Sequence, residues 1–235
     1  MGKAILPKEG KRMKESSLKH KTASKATLSR LPLYYRYLTD PASGLGENIS
    51  ATKISQALHM GEIQVRKDLG LASGIGKPKV GYKTQQLIES LEKYLGYNEA
   101  TPVVLMGVGK LGAALLEYTD FATYGLKIVA AFDADPAKVG KSVAGVPIKA
   151  AGELADFCRN NQVHIGVITT PAAAAQSVCD AMTDCGIKAI WNLAPVTLRV
   201  SNDVRLMQEN LALSIAFLNM QTKFPQWNEE EKETL

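Results

Sequence analysis

Three glycines at a fixed spacing carry the clearest chemistry in the chain: Gly107, Gly109 and Gly112 form a G-x-G-x-x-G run, with Val108, Lys110 and Leu111 between them. Such a run grips a pyrophosphate when it closes a strand and opens a helix. The first glycine makes the tight turn, the second lets the backbone approach the phosphates, and the third allows close helix–strand packing. The helix N-terminus then offers free N–H groups to the anion. Here apolar Val103–Met106 precedes the run and helical Ala113–Tyr118 follows it. Twenty-one residues past Gly112, Asp133 ends the apolar stretch Ile128–Phe132. A carboxylate there would bond an adenosine ribose and repel a 2′-phosphate, which favours NAD(H) over NADP(H). The alternative is a glycine-rich turn for another nucleotide, such as coenzyme A. Thr169-Thr170-Pro171 and Asn192-Leu193-Ala194-Pro195 each follow a strand-like stretch. Ligands bind outside the carboxyl ends of parallel strands, so both turns would open onto the same crevice, though either reads equally as a plain loop.

A second constellation lies in Ile54–Leu69, two short helices across the turn His59-Met60-Gly61, which fits a helix-turn-helix. On the second helix Val65 and Leu69 face a core, while Gln64, Arg66 and Lys67 project elsewhere and suit base edges and phosphates in a major groove. The bland reading is a solvated helix in a small bundle. Against it stands the following segment, residues 70–83, a glycine-rich hairpin with Lys77 and Lys79 at its tip, as expected of the wing of a winged helix.

What must position these residues is read from composition and rhythm. The 235 residues are 46% hydrophobic and 22% charged, with mean hydropathy −0.07. That suffices for one large domain or two modest ones. No apolar run approaches twenty residues, which argues against a membrane span, and the lysine-rich start lacks the apolar segment of a secretory signal, so an intracellular, cytoplasmic protein is expected. The net charge of +5 is uneven: residues 1–100 carry 17 basic against 9 acidic side chains, residues 101–235 carry 11 against 14. Clustered cations at the front suit a polyanion; the bland reading is a basic disordered tail, since residues 1–30 alone carry 9 basic against 2 acidic side chains. Cys158, Cys179 and Cys185 show neither disulfide nor metal-site spacing, and no H-E-x-x-H or G-x-S-x-G occurs.

The expected order is a basic flexible arm at 1–25, a winged-helix domain at 26–97, a dinucleotide domain at 98–208 and a terminal helix with an acidic tail at 209–235. The first helix should span Thr27–Leu38, with Pro32 confined to its first turn. Beyond residue 100, strand-like Val103–Met106, Ile128–Phe132, Ile165–Ile168 and Ala189–Asn192 alternate with helical segments, and Val204–Met207 could add a last strand. The fold class is therefore α/β, a Rossmann-like parallel sheet flanked by helices. Leu211–Phe224 reads as a helix apolar nearly all round, buried either deep in its own domain or in a second subunit; a dimer is favoured. The rival class is an NAD-dependent oxidoreductase with a basic extension, and a third is a winged-helix regulator of another nucleotide.

Taken together, Gln64–Leu69, Val80-Gly81-Tyr82, Gly107–Gly112, Asp133–Gly140, Thr170 through Gln176 and Asn192–Val196 resemble the Rex redox-sensing transcriptional repressors over residues 27–220. The resemblance implies homodimers with an N-terminal winged helix, a Rossmann domain that senses the NADH/NAD+ ratio and a C-terminal helix swapped between subunits. NADH would release operator DNA. By that likeness Arg66 and Lys67 contact the major groove, Tyr82 of the wing segment joins the DNA-binding residues, Tyr118 lies near the nicotinamide, and Arg30 sits at the interface of the two domains. Three departures stand out: Gly70-Leu71-Ala72-Ser73 where Ser-Tyr-Phe-Gly is usual, Lys77-Pro78-Lys79 where the wing commonly has an arginine, and Asn210 where an aspartate is usual.

Overall fold

The computed structural model describes residues 23–224; the expected basic arm, apart from its last three residues, and the acidic tail lie outside them. The chain divides into two compact units, with the boundary in sequence between Asn98 and Glu99.

In the first unit α1 (Lys25–Thr39) starts at Ser24, whose hydroxyl accepts from Thr27 N–H at 3.0 Å. Leu31, Tyr34, Tyr35 and Leu38, at helical spacing, form its buried stripe. Pro32 is not in the first turn, as the sequence suggested, but well inside the helix. The lost N–H bond is tolerated because burial of the flanking Leu31 and Tyr34, both fully inaccessible, holds the helix together. Next come β1 (Asn48–Ile49), α2 (Ala51–Ala57) capped by Ser50, and α3 (Glu62–Ser73). In the turn between the two helices the left-handed backbone falls on His59 (φ 52°), while Gly61 caps α3 at an ordinary φ of −66°. β2 (Tyr82–Lys83) pairs antiparallel with β1, and α4 (Thr84–Leu95) stops at Gly96. Ile54, Val65, Leu69, Leu87 and Leu91 close the core of a winged-helix fold.

The second unit is built on β3 (Thr101–Met106), α5 (Lys110–Glu117), β4 (Leu126–Asp133), β5 (Ser142–Val143), β6 (Val146–Ala150), α6 (Leu154–Asn161), β7 (Ile165–Ile168), α7 (Ala172–Asp184), β8 (Ala189–Asn192), β9 (Arg205–Gln208) and α8 (Leu211–Lys223). The sheet order is β5-β6-β4-β3-β7-β8-β9, parallel throughout except for edge strand β5. Leaving β5 aside, this is the dinucleotide-binding order, with its topological switch between β3 and β7. Alternate residues of β3 enter opposite cores: Val104 and Met106 on one face, Val103 and Leu105 on the other. The segment after Asp133, expected to be helical, instead forms β5 and β6 before α6. Two left-handed residues, Ala144 (φ 49°) and Gly145 (φ 80°), turn this short hairpin.

Helix α8 has no buried residue: Leu211, Leu213, Ile215, Phe217 and Leu218 are all more than half exposed. Of the two placements the sequence left open, burial in its own domain is excluded.

Candidate functional site

At the switch point β3 runs into Gly107, whose φ of +101° favours glycine; an added Cβ there would lie 2.9 Å from Thr170 Cγ2 and Thr170 N. A Cβ on Gly112 would approach the Gly107 carbonyl oxygen to 2.1 Å, so α5 leans directly on the turn. At Gly109 nothing lies within 4 Å, and this exposed side is where the backbone faces open space. No side chain caps α5, which leaves the first N–H groups, at Lys110 and Leu111, to a ligand.

Thr169 Oγ1 donates to the Gly107 carbonyl at 2.6 Å and belongs to the scaffold. Thr170 Oγ1 is buried with no hydrogen-bond partner among the described residues, and Pro171 starts α7 beside it. An open glycine, an uncapped helix start and an orphaned hydroxyl at one switch point fit a dinucleotide.

Asp133 differs from the sequence expectation. Its Oδ2 accepts from Val108 N–H at 2.7 Å and Lys138 Nζ at 3.0 Å, and its Oδ1 accepts from Asp135 N–H at 2.9 Å. Burial pushes this carboxyl up, but the Asp135 N–H, the Lys138 ammonium and the Val108 N–H outweigh it and hold the group below its ordinary value. The acid is therefore largely committed to the protein. Asn192 is committed likewise: Oδ1 accepts from Ala194 N–H at 3.0 Å and Nδ2 donates to the Val196 carbonyl at 2.8 Å. It shapes the loop that carries buried Ala194 and exposed Pro195 rather than reaching outward. Tyr118 is exposed, donates to Asp120 Oδ2 at 2.9 Å and packs edge-on to Phe121, which meets Trp191 in the same way. The hydrogen bond to Asp120 raises its pKa.

In the first unit α3 turns Val65 and Leu69 inward and leaves Gln64, Arg66 and Lys67 exposed, as their spacing predicts. Arg66 pairs with Glu62 one turn earlier. Sequence reasoning missed what fastens this helix. Asp68, on the buried face, accepts from Arg30 Nε at 2.7 Å, from Arg30 Nη2 at 3.1 Å and from Tyr34 OH at 2.8 Å. With its amide oxygen turned toward Arg30, Gln64 accepts from Nη2 at 2.5 Å. Burial and the Asp68 bond push the Tyr34 hydroxyl well up. Arg30 and Asp68 stand 38 positions apart, and no local pattern marks the pair.

The wing closes through two 2.8 Å bonds between Lys77 and Gly81, and Val80 N–H bonds the Lys77 carbonyl across Pro78-Lys79. Lys79 holds φ 64° at the exposed tip. Tyr82, expected at the DNA, is turned into the base of the wing, where a Cβ on Gly76 would meet its ring at 2.9 Å.

Residues 98–196 match the family described as "CoA binding domain", and residues 22–70 the family described as "Putative DNA-binding protein N-terminus". The redox-sensing transcriptional repressor Rex of Brevibacillus brevis is 39% identical over 188 residues, covering 80% of this chain and 91% of that protein. The chain belongs to the Rex family. Among solved Rex-family structures, that of RSP in complex with β-NAD+ and operator DNA has a TM-score of 0.80 at 30% identity, covering 90% of this chain and 97% of that one. RSP in complex with β-NADH gives 0.75 at 30% identity, covering 89% and 98%. The Rex match thus takes in both units, and with them the glycine turn and the exposed face of α3.

Proposed function

We propose that this Rex-family chain is a transcriptional repressor whose hold on operator DNA reports the NADH/NAD+ ratio, NADH releasing the DNA. The observation that carries the reading is one chain holding both a phosphate-binding turn at a Rossmann switch point and an exposed, cation-bearing reading helix with a wing. RSP, similar over nine-tenths of this chain, has been solved with both nicotinamide forms and with operator DNA. The relatives are named as repressors, which sets the oxidoreductase reading aside.

In this reading residues 26–97 bind DNA, 98–208 bind the dinucleotide, and 209–235 join a second copy. Gln64, Arg66 and Lys67 enter the major groove, while Lys77 and Lys79 meet the backbone or minor groove. Lys110 and Leu111 offer their N–H groups to the pyrophosphate beside the open Gly109, while Gly107, Val108 and Gly112, with the Gly107 and Val108 N–H groups bonded to Phe132 and Asp133, shape the turn that presents them. Thr170, Pro171, Tyr118 and the Asn192-shaped loop at Ala194 and Pro195 border the nicotinamide end. When bound, the dinucleotide supplies a redox-dependent shape and charge at that end, and the protein catalyses nothing. The chain responds because its two arrangements bind that ligand unequally, and coupling of about 1–3 kcal/mol would change operator affinity about 5- to 150-fold.

The apolar surface of α8 favours a homodimer with exchanged helices. No helix among the described residues is long and apolar enough to cross a membrane. The cytoplasm, where the operator lies, is the proposed location.

The test is titration of an operator duplex, recovered by selection from random sequence, with NADH, NAD+ and coenzyme A at fixed salt. NADH should weaken binding at least fivefold relative to NAD+, and coenzyme A should do nothing. Equal affinities under both nicotinamide forms would end the sensor reading. Ile215→Glu should convert a dimer to a monomer in sedimentation equilibrium.

A further inference from the structure

In the ion pair at the end of β4 the cation reaches further outward than the acid it binds, with the more exposed Asp135 carboxylate beside it. Asp133 is 11% exposed in its side chain and Lys138, on the loop that follows, 37%. Val108 N–H, Lys138 Nζ and Asp135 N–H already occupy the carboxylate, which has about four lone-pair sites in all. Lys138 also stands 4.0 Å from Asp135 Oδ2. Its ammonium has three donors, and the bond to Asp133 uses one.

A Rossmann fold places the adenosine ribose at the end of this strand. An acid there accepts from the 2′-hydroxyl, and a cation nearby accommodates a 2′-phosphate. This chain has both, joined to each other. We propose that Lys138 is a specificity-determining residue for the dinucleotide: its ammonium offsets the repulsion that Asp133 would exert on a 2′-phosphate. The chain therefore separates NADH from NADPH less sharply than its acid alone would. This rests on the reading of the crevice as an NAD(H) site.

The pairing also explains how Asp133 serves the neighbouring turn. With Lys138 on the same oxygen as Val108 N–H, the acid stays ionised and fixed against the glycine loop. Two carboxylates, Asp133 and the more exposed Asp135, share this one ammonium, so Lys138 reduces the negative charge at the strand end without cancelling it.

The experiment measures equilibrium dissociation constants of NADH and NADPH for the full chain by calorimetry, in the natural protein, Lys138→Met and Lys138→Arg. The NADPH-to-NADH ratio should rise about tenfold in Lys138→Met and stay within threefold of the natural value in Lys138→Arg. In the natural protein, added salt should weaken NADPH binding more steeply than NADH binding, because the extra phosphate meets a screened cation. The salt measurement needs no variant and stands if Lys138→Met fails to fold. An unchanged ratio in a folded Lys138→Met that still binds NADH, or equal salt slopes for the two dinucleotides, would overturn the proposal. Failure of the natural protein to bind NADH would instead sink the site reading itself.

Discussion

The reading helix α3 is fastened by charge: Asp68, 3% exposed, takes two bonds from Arg30 and one from Tyr34. The phosphate turn is fastened by missing side chains: Gly107 and Gly112 let β3, α5 and the Thr170 backbone approach closer than any Cβ allows. The first device resists deletion of a partner poorly, since a buried charge is left uncompensated. The second resists addition of a methyl poorly, since close-packed backbone cannot yield. Each of these two devices is thus vulnerable to a kind of change that the other tolerates.

The largest effect should come from Gly112→Ala, which sets a methyl 2.1 Å from the Gly107 carbonyl oxygen. A loss of about 3 kcal/mol in denaturant unfolding and of NADH binding is expected. Retained stability with normal NADH binding would break the comparison. Asp68→Asn should cost about 2–3 kcal/mol by the same measurement, because Arg30 keeps its charge and loses its bidentate acceptor. Tyr34→Phe, removing one neutral donor to Asp68, should cost about 1 kcal/mol. Lys79→Gly relieves a left-handed lysine and should raise stability by up to about 1 kcal/mol, yet flatten the salt slope of operator binding by about one counterion. An unchanged slope would remove Lys79 from the phosphate contacts.

The smallest effect is acidic. Asp133 has a folded-state pKa below its unfolded value, so its contribution is present above the ordinary carboxylate range and lost as pH falls through the folded value. Lys138→Met should shrink that acid-limb loss, as read by thermal unfolding between pH 5 and pH 2.

Much of this was open to sequence reading. Strand, glycine run and helix are local periodic signals, and β7 and β8 lie where their apolar runs placed them. The hairpin of β5 and β6 was hidden because its turn uses Ala144-Gly145, not a residue pair that announces a hairpin. Pro32 misled because its local penalty was weighed without the buried leucine and tyrosine on either side.

The chain's residue order alone determined the phosphate turn, the exposed cations of α3 and the wing with its lysines, because each depends on neighbours within a few positions. Only the folded structure decided that Arg30 holds Asp68, that Lys138 sits on Asp133, that Tyr82 turns inward and that α8 stays uncovered. Ion pairs and burial depend on which distant segments the packing brings together, and short-range pattern carries no record of that.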